Sequence, residues 1–332
     1  MPGPRLSFLL VNFNGGPLLS DALGSISRQT FTDYEVIVID NGSIDRSWDI
    51  PFFGRPGWVL ERLDRNAGFS EANNLAYARS RGPIIALINN DVVLDPHWAE
   101  RIIQAFETPQ VAAVACRLVQ TRNPGFLDSA GFDTFTCCTT EGWRELPAGF
   151  FAGKRHEPFG PVASAAAYRR EAIEKVGLFH PEYFAYYEDT DLAMRLALFG
   201  FQCRYLDDAI AYHLGSATGK QYSNFHRYHL RRNVEFLYWV NMVGTLALAN
   251  LPSHFLYELF AFLGMLFRAQ GAVFWRAKRD ALKMIPWIRR ERKRLRARLK
   301  ESVGISQSKQ NLAAGLKSFW DAFFRGKNIG KF

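Results

Sequence analysis

Residues 6–16 read Leu-Ser-Phe-Leu-Leu-Val-Asn-Phe-Asn-Gly-Gly, and residues 34–43 read Tyr-Glu-Val-Ile-Val-Ile-Asp-Asn-Gly-Ser. Each is a short apolar run closed by turn-forming residues, the pattern of a buried parallel strand. Between them Leu18, Leu19, Ala22, Leu23 and Ile26 recur at helical spacing and stop before Gln29-Thr30, which completes a β-α-β unit. Working outward, a third strand is expected near Trp58–Leu63. Asn66-Ala67-Gly68-Phe69 then leads into a helix over about Ser70–Arg79, and a fourth strand over Ile84–Ile88 ends in Asn89-Asn90-Asp91. The fold class is therefore α/β, and the chemically suggestive residues follow the carboxyl ends of strands, where open α/β sheets bind ligands. From about 105 to 220 short strands and loops are expected, with a helix over about Thr190–Phe199 stopped by Gly200.

With 332 residues, 48% hydrophobic and 22% charged, the composition is that of a globular protein and excludes collagen, coiled coil and disorder. The formal charge of +9 arises from 41 Lys+Arg against 32 Asp+Glu. Thirteen bases but only Asp280 and Glu291 fall between Arg268 and Lys300, so the basicity belongs to one late segment and the rest is near neutral. Cys116, Cys137, Cys138 and Cys203 form no C-x-x-C pair and are expected to be reduced, as in a cytosolic protein. The first residues lack the apolar core of a signal peptide, so secretion is not expected.

Four places carry chemical potential. Asp40 can accept hydrogen bonds from a base or ribose, and equally from its own backbone in an Asx-turn. Asn89-Asn90-Asp91 offers hard oxygen donors to a divalent cation holding a diphosphate, or simply a turn before Val92. Glu188, Asp189 and Asp191 open a helix, where carboxylates are favoured by unpaired N–H groups and the helix dipole. Yet three carboxylates in four residues, after Tyr183-Phe184-Ala185-Tyr186-Tyr187, exceed what a cap requires. An aromatic wall beside an acid can stack a sugar ring and raise the acid's basicity. His213 follows a strand and precedes the glycine-rich Gly215–Lys220, which suits phosphates but lacks the P-loop order.

In their order along the chain, these pieces resemble the inverting nucleotide-sugar glycosyltransferases of family 2, particularly the bacterial rhamnosyltransferase-like branch. The matching stretches are Val11–Gly15, Gln29-Thr30, Glu35–Ser43, Asn66–Phe69 with Asn73-Asn74, Leu87–Asp91, Tyr187–Leu192 with Arg195, and His213–Ser216, spanning roughly residues 5 to 220. The resemblance implies a GT-A fold over 1–220, a Rossmann-like sheet joined to an acceptor-binding half. It implies that Asn12, Asp40, Arg65 and Asn66 border the nucleoside, with Asn89 and Asn90 beside the diphosphate. Asp91 becomes the metal-binding carboxylate, with Asn89 replacing the family's first D-x-D aspartate, and His213 reaches the metal or diphosphate. Asp189 becomes the base that takes the acceptor hydroxyl's proton. The implied cofactor is Mg2+ or Mn2+, the donor a dTDP- or UDP-linked sugar, and the acceptor a glycan or polyprenyl-linked glycan.

The C-terminal part, 221–332, is expected to be helical. Phe236–Leu251 and Phe255–Phe267 are apolar but interrupted, so neither offers the roughly 20 uninterrupted apolar residues of a spanning helix. Leu312, Leu316, Phe319, Trp320, Phe323 and Phe324 share one helical face, with Lys309, Lys317, Arg325 and Lys327 near it. Together with the basic segment this predicts a peripheral enzyme on the anionic inner face of the cell membrane. The alternatives are a homo-oligomer interface for the apolar helices and a solvated face for Arg289–Lys300. A dinucleotide oxidoreductase is excluded because Asn12–Gly16 is not Gly-x-Gly-x-x-Gly. A nucleic-acid binder would use Arg289–Lys300, but the near-neutral body and the preceding apolar helices argue for lipid and against nucleic acid. A catalytically inactive nucleotide-sugar or glycan scaffold would keep this fold and lose the base, and the presence of Asp91 and Asp189 argues against it.

Overall fold

The computed structural model describes residues 3–215 and 223–324. Its strands are β1 (Leu6–Asn12), β2 (Tyr34–Asp40), β3 (Trp58–Arg62), β4 (Ile84–Asn89), β5 (Val92–Leu94), β6 (Val111–Gln120), β7 (Leu127–Ser129), β8 (Phe132–Thr134), β9 (Thr140–Gly142), β10 (Ala165–Arg169) and β11 (Gln202–His213). The helices are α1 (Pro17–Ser27), α2 (Phe69–Arg79), α3 (Trp98–Ala105), α4 (Arg170–Val176), α5 (Glu188–Leu198), α6 (Asn224–Asn241), α7 (Thr245–Phe267), α8 (Gly271–Lys283), α9 (Ile285–Ser302), α10 (Ile305–Gly315) and α11 (Phe319–Phe324).

Two compact units result, and they interleave along the chain. The first holds residues 1–132, 142–184 and 201–219; the second holds 133–141, 185–200 and 220–332. The single boundary read from the sequence at 220 follows chain order, whereas contacts assign 185–200, and so α5, to the helical unit.

The first unit is built on a sheet of order β3-β2-β1-β4-β10-β6-β11-β5, with β7 beside β6. β3, β2, β1 and β4 are parallel, as the near-continuous apolar runs predict. The sheet is nevertheless mixed, because β10 runs antiparallel between β4 and β6. β6 and β11 are parallel to each other, so β11 ends at the same edge as β1, β2 and β4. Leu6, Phe8, Leu10, Val36, Val38, Leu19, Leu23 and Trp98 pack into one buried core that fixes the strand ends in place.

The second unit is helical, and three expectations from sequence are corrected in it. First, the apolar stretches divide differently. α6 stops at Asn241, and α7 runs 23 residues straight through Pro252. Side chains near the proline take up backbone groups: Asn250 Nδ2 donates to Leu246 O at 3.0 Å and Ser253 Oγ to Asn250 O at 2.8 Å. By length and composition α7 is the one helix among the described residues apolar enough to cross a membrane, although 33% of its most apolar window is buried within the protein.

Second, the amphipathic tail is two helices. The chain is extended at Leu316, where Lys317 N donates to Thr134 O at 2.8 Å and Thr136 N to Lys317 O at 3.0 Å. Leu312 and Phe319 are fully buried inside the protein, whereas Trp320, Phe323 and Phe324 of the same face stay exposed at 37%, 37% and 78%. Arg325 and Lys327 lie outside the described residues.

Third, the basic segment is partly internal. Lys278 Nζ meets Glu235 Oε1 at 2.6 Å and Glu258 Oε2 at 2.5 Å, while Trp287, Ile288, Leu295 and Leu299 bury one face of α9. Gly200 ends α5's turn with φ of 84°, the left-handed stop that its position predicts.

Candidate active site

Asn12 and Asp40 close β1 and β2 side by side, because the parallel register pairs them directly. Asn12 Nδ2 donates to Asp40 Oδ1 at 2.9 Å, to Ser47 Oγ at 2.8 Å and to Ser43 Oγ at 3.2 Å. From β4's end Asn90 Nδ2 donates to Asn12 Oδ1 at 3.0 Å. The second oxygen, Oδ2, accepts from Ser43 N, three residues on, at 3.2 Å, and Arg62 Nε stands 3.8 Å from that same oxygen. Asp40 thus braces the strand ends and is itself fully buried.

A second brace joins the next two loops. Asn41 Nδ2 donates to Asn66 Oδ1 at 3.0 Å, Asn41 Oδ1 accepts from Ala67 N at 2.8 Å, and Asn66 Oδ1 accepts from Gly68 N at 2.9 Å. Arg65 contributes backbone here: a Cβ on Gly42 would lie 2.6 Å from Arg65 C, and Gly42 has φ of 78°. Gly42→Ala is therefore expected to cost about 1–3 kcal/mol from strain at that φ, before the clash is counted. A thermal unfolding midpoint matching that of the parent protein would refute this.

Asp91 and His213 meet at the same edge. His213 Nε2 lies 3.3 Å from Asp91 Oδ1, and Leu214 N donates to Asp91 O at 3.1 Å. The other ring nitrogen, Nδ1, lies 2.7 Å from Asp128 Oδ2, and Arg144 stands 3.4 Å from Asp128 Oδ1. Burial alone would lower the His213 pKa, but the hydrogen bonds and charges of Asp128 and Asp91 outweigh it and raise it to about 9. Among the described residues no group of three or more His, Cys, Asp or Glu side chains is arranged to hold a metal ion. The pair Asp91–His213 still fits a divalent cation that takes its remaining ligands from phosphate and water. Asp128 orients the ring through the nitrogen that would not face such an ion. Sequence reading missed Asp128, 85 residues from His213; Leu127-Asp128-Ser129 carries no motif that would have pointed to it. Of the loop Gly215–Lys220, only Gly215 is described.

In the helical unit, the three carboxylates of α5 have three different environments. Asp191 is fully buried; its Oδ2 accepts from Arg195 Nε at 2.8 Å and Nη2 at 2.7 Å, and its Oδ1 accepts from Asn241 Nδ2 at 2.8 Å. It is a structural anchor. Glu188 is 6% exposed and its Oε2 has no hydrogen-bond partner among the described residues. Burial foremost, then the charges of Asp189 and Asp191, push the Glu188 carboxyl well above its ordinary pKa. Asp189 is only half-buried, and its Oδ1 accepts from Thr190 N at 2.7 Å and Thr190 Oγ1 at 3.2 Å. The preceding Tyr186 and Tyr187 have φ of 71° and 70°. That uncommon conformation is held by Asn233 Nδ2, which donates to Ala185 O at 2.9 Å and Tyr186 O at 2.8 Å. Neither Asn233 nor Asn241 was legible as a support, since nothing in the sequence of α6 marks which of its polar residues meet Tyr186 or Asp191.

Across residues 7–177 the chain matches the model of glycosyl transferase family 2. The chain belongs to glycosyl transferase family 2. The matched span covers β1 to β10 and α4, and so includes the Asn12–Asp40–Asn90 network, Asp91 and Asp128. Among curated relatives of this family 2 protein, an uncharacterized glycosyltransferase of Nostoc is 28% identical over 63% of this chain and 64% of its own length. The O-antigen chain rhamnosyltransferase RfbN of Salmonella typhimurium is 23% identical over 68% of this chain and 70% of its own. The chain spans less than two thirds of the length of the first curated relatives that it matches. A solved structure, GalNAc-T7 with UDP, GalNAc and Mn2+, superposes with a TM-score of 0.58 at 15% identity over 70% of this chain and 48% of its own. The architecture is accordingly a GT-A-like α/β fold with a C-terminal helical region.

Proposed function

We propose that this glycosyltransferase moves a sugar, rhamnose or a related hexose, from a dTDP- or UDP-linked donor to a hydroxyl of a glycan or lipid-linked glycan in cell-envelope polysaccharide synthesis. The observation that carries this reading is Asp91 and His213 held together at the sheet edge on which the Asn12–Asp40–Asn90 network closes. The name of the Salmonella relative supports O-antigen chemistry and rhamnose, and the UDP and Mn2+ of the superposed structure support the donor class and a divalent ion.

Asn12, Asp40, Arg65 and Asn66 border the nucleoside, and Asn89 and Asn90 lie along the diphosphate. A Mg2+ or Mn2+ ion, when bound, supplies positive charge that stabilises the departing diphosphate. Asp91 and His213 hold it, which requires His213 to give up the proton that its two carboxylate neighbours favour. Asp189 accepts the acceptor hydroxyl's proton as the new bond forms, and a single displacement inverts the anomeric centre. Thr190 N–H and Oγ1 orient that carboxylate.

A screen of nucleoside diphosphate sugars for slow metal-dependent hydrolysis tests the donor class without an acceptor. In the same assay format, Asp91→Ala is expected to weaken diphosphate binding in the presence of metal by about 10–100-fold, the scale seen when metal-site support is lost. Calorimetry showing equal nucleoside diphosphate affinity with and without metal, in wild type and variant alike, would refute the metal role.

The acceptor is presented at the inner membrane surface, and the apolar contact comes from the exposed tail residues Trp320, Phe323 and Phe324 together with α7. Leu248, Phe255, Leu266 and Phe267 are exposed on it at 76%, 68%, 54% and 89%. Liposome flotation is expected to rise with anionic lipid content, to weaken but persist at high salt, and to fall several-fold in Phe255→Ser/Phe267→Ser. Equal, poor flotation with neutral and anionic vesicles would instead favour a subunit interface on α7.

A further inference from the structure

α6, α8 and α9 border an open cleft with a cavity volume of about 630 Å3, within the roughly 300–1,000 Å3 range of small-molecule sites. Its wall is mainly apolar, formed by Trp239, Ala281, Leu282, Ile285 and Ile288. Its charged lining is unequal. Glu235 and Lys278 neutralise one another at 2.6 Å, and the neighbouring Glu258 is shared by Lys278 and Arg231. Burial would raise the Glu235 pKa, but Lys278 and His254 outweigh it and hold the carboxyl well below its usual range, so this acid stays ionised and satisfied.

Arg289 and Arg292, which also line the cavity, have no acidic partner among the described residues. The nearest acid in sequence, Glu291, pairs with Arg290 and Arg294 instead. Arg292 donates to a neutral acceptor, Trp239 O, at 2.5 Å. Its pKa is lowered by burial and then by the like charge of Arg296, the condition of a cation lacking a counter-charge. An apolar cleft bordered by two uncompensated guanidiniums is complementary to a molecule with an apolar tail and a phosphate head.

We propose that this cavity binds one phosphate-headed lipid drawn from the membrane, its tail against Leu282, Ile285, Ile288 and Trp239 and its phosphate on Arg289 and Arg292. The site is separate from the donor machinery, and a monomeric lipid tests it without a bilayer, so its failure is distinct from failure of the flotation or sugar-transfer readings.

The test is calorimetry of the full-length protein with dodecyl phosphate below its micellar concentration, with dodecyl maltoside as a neutral head on the same tail, and with inorganic phosphate. Dodecyl phosphate is expected to bind one per chain, at least tenfold more tightly than either control. Arg289→Gln/Arg292→Gln should weaken it by on the order of tenfold, because each cation near a lipid phosphate contributes comparably. Leu282→Glu, at a position 64% exposed and so tolerated by the fold, should do the same by placing a negative charge at the tail contact. Circular dichroism confirms that both variants are folded. Equal affinity for dodecyl maltoside, equal affinity for inorganic phosphate, or unchanged binding in both folded variants would overturn the proposal.

Discussion

Asp189→Asn is expected to lower sugar transfer by about 10²–10⁴-fold, the usual contribution of a positioned general base, while donor affinity stays within about threefold. The amide keeps the acceptor oxygen that Thr190 N and Oγ1 engage at 2.7 and 3.2 Å, so the local turn survives and only proton affinity is lost. The neighbouring carboxylates offer no substitute. Glu188 is buried, with its carboxyl pushed well above its ordinary pKa, and Asp191 already accepts from Arg195 and Asn241. Initial rates with a competent donor–acceptor pair, together with calorimetric donor binding, decide the matter. Transfer by the variant within about threefold of wild type would remove Asp189 from the role.

Asp191→Ala, two residues away, is expected to fail in a different way. It removes the Asp191 carboxylate from a buried Arg195 guanidinium whose side-chain exposure is 3%. Removing one partner of such a buried pair costs about 3–5 kcal/mol. The loss should appear as a lower denaturant midpoint with little change in slope, and activity should fall only in proportion to the folded fraction. A variant with the parent's midpoint and a much lower rate would move Asp191 into the chemistry and contradict the structural assignment. The two substitutions thus separate proton transfer from anchoring within a single helical turn.

Much of the first unit was legible because local rules and global fold agree there. Apolar runs of strand length, ended by Asn12, Asp40 and Asn89 and alternating with helical segments, are the pattern of a buried parallel sheet, and a parallel sheet puts their ends on one edge. The motifs after those ends were therefore readable as one ligand edge before any contact was known. The antiparallel insertion of β10 was not readable, since Ala165–Arg169 is too short and too ordinary to declare its direction.

The helical unit was less legible, and particular residues show why. Pro252 reads as a break, yet α7 continues through it from Thr245 to Phe267. Leu312 to Phe324 reads as one amphipathic helix, but pairing of Lys317 with Thr134 and Thr136 opens the chain at Leu316. Periodicity records which residues want burial and is silent about what buries them.

By itself, then, the sequence determined the α/β class, the strand ends that carry Asn12, Asp40 and Asp91, and the carboxylate-rich start of α5, because backbone periodicity and turn chemistry are local. Only the tertiary structure decided that Asp128 orients His213, that Glu188 is buried with a raised pKa, that Asp191 is an anchor, and that Arg289 and Arg292 border an apolar cleft without an acidic partner among the described residues. Burial, ion pairing and the pKa values that follow from them depend on groups brought together from distant parts of the chain, and no local pattern encodes which groups those are.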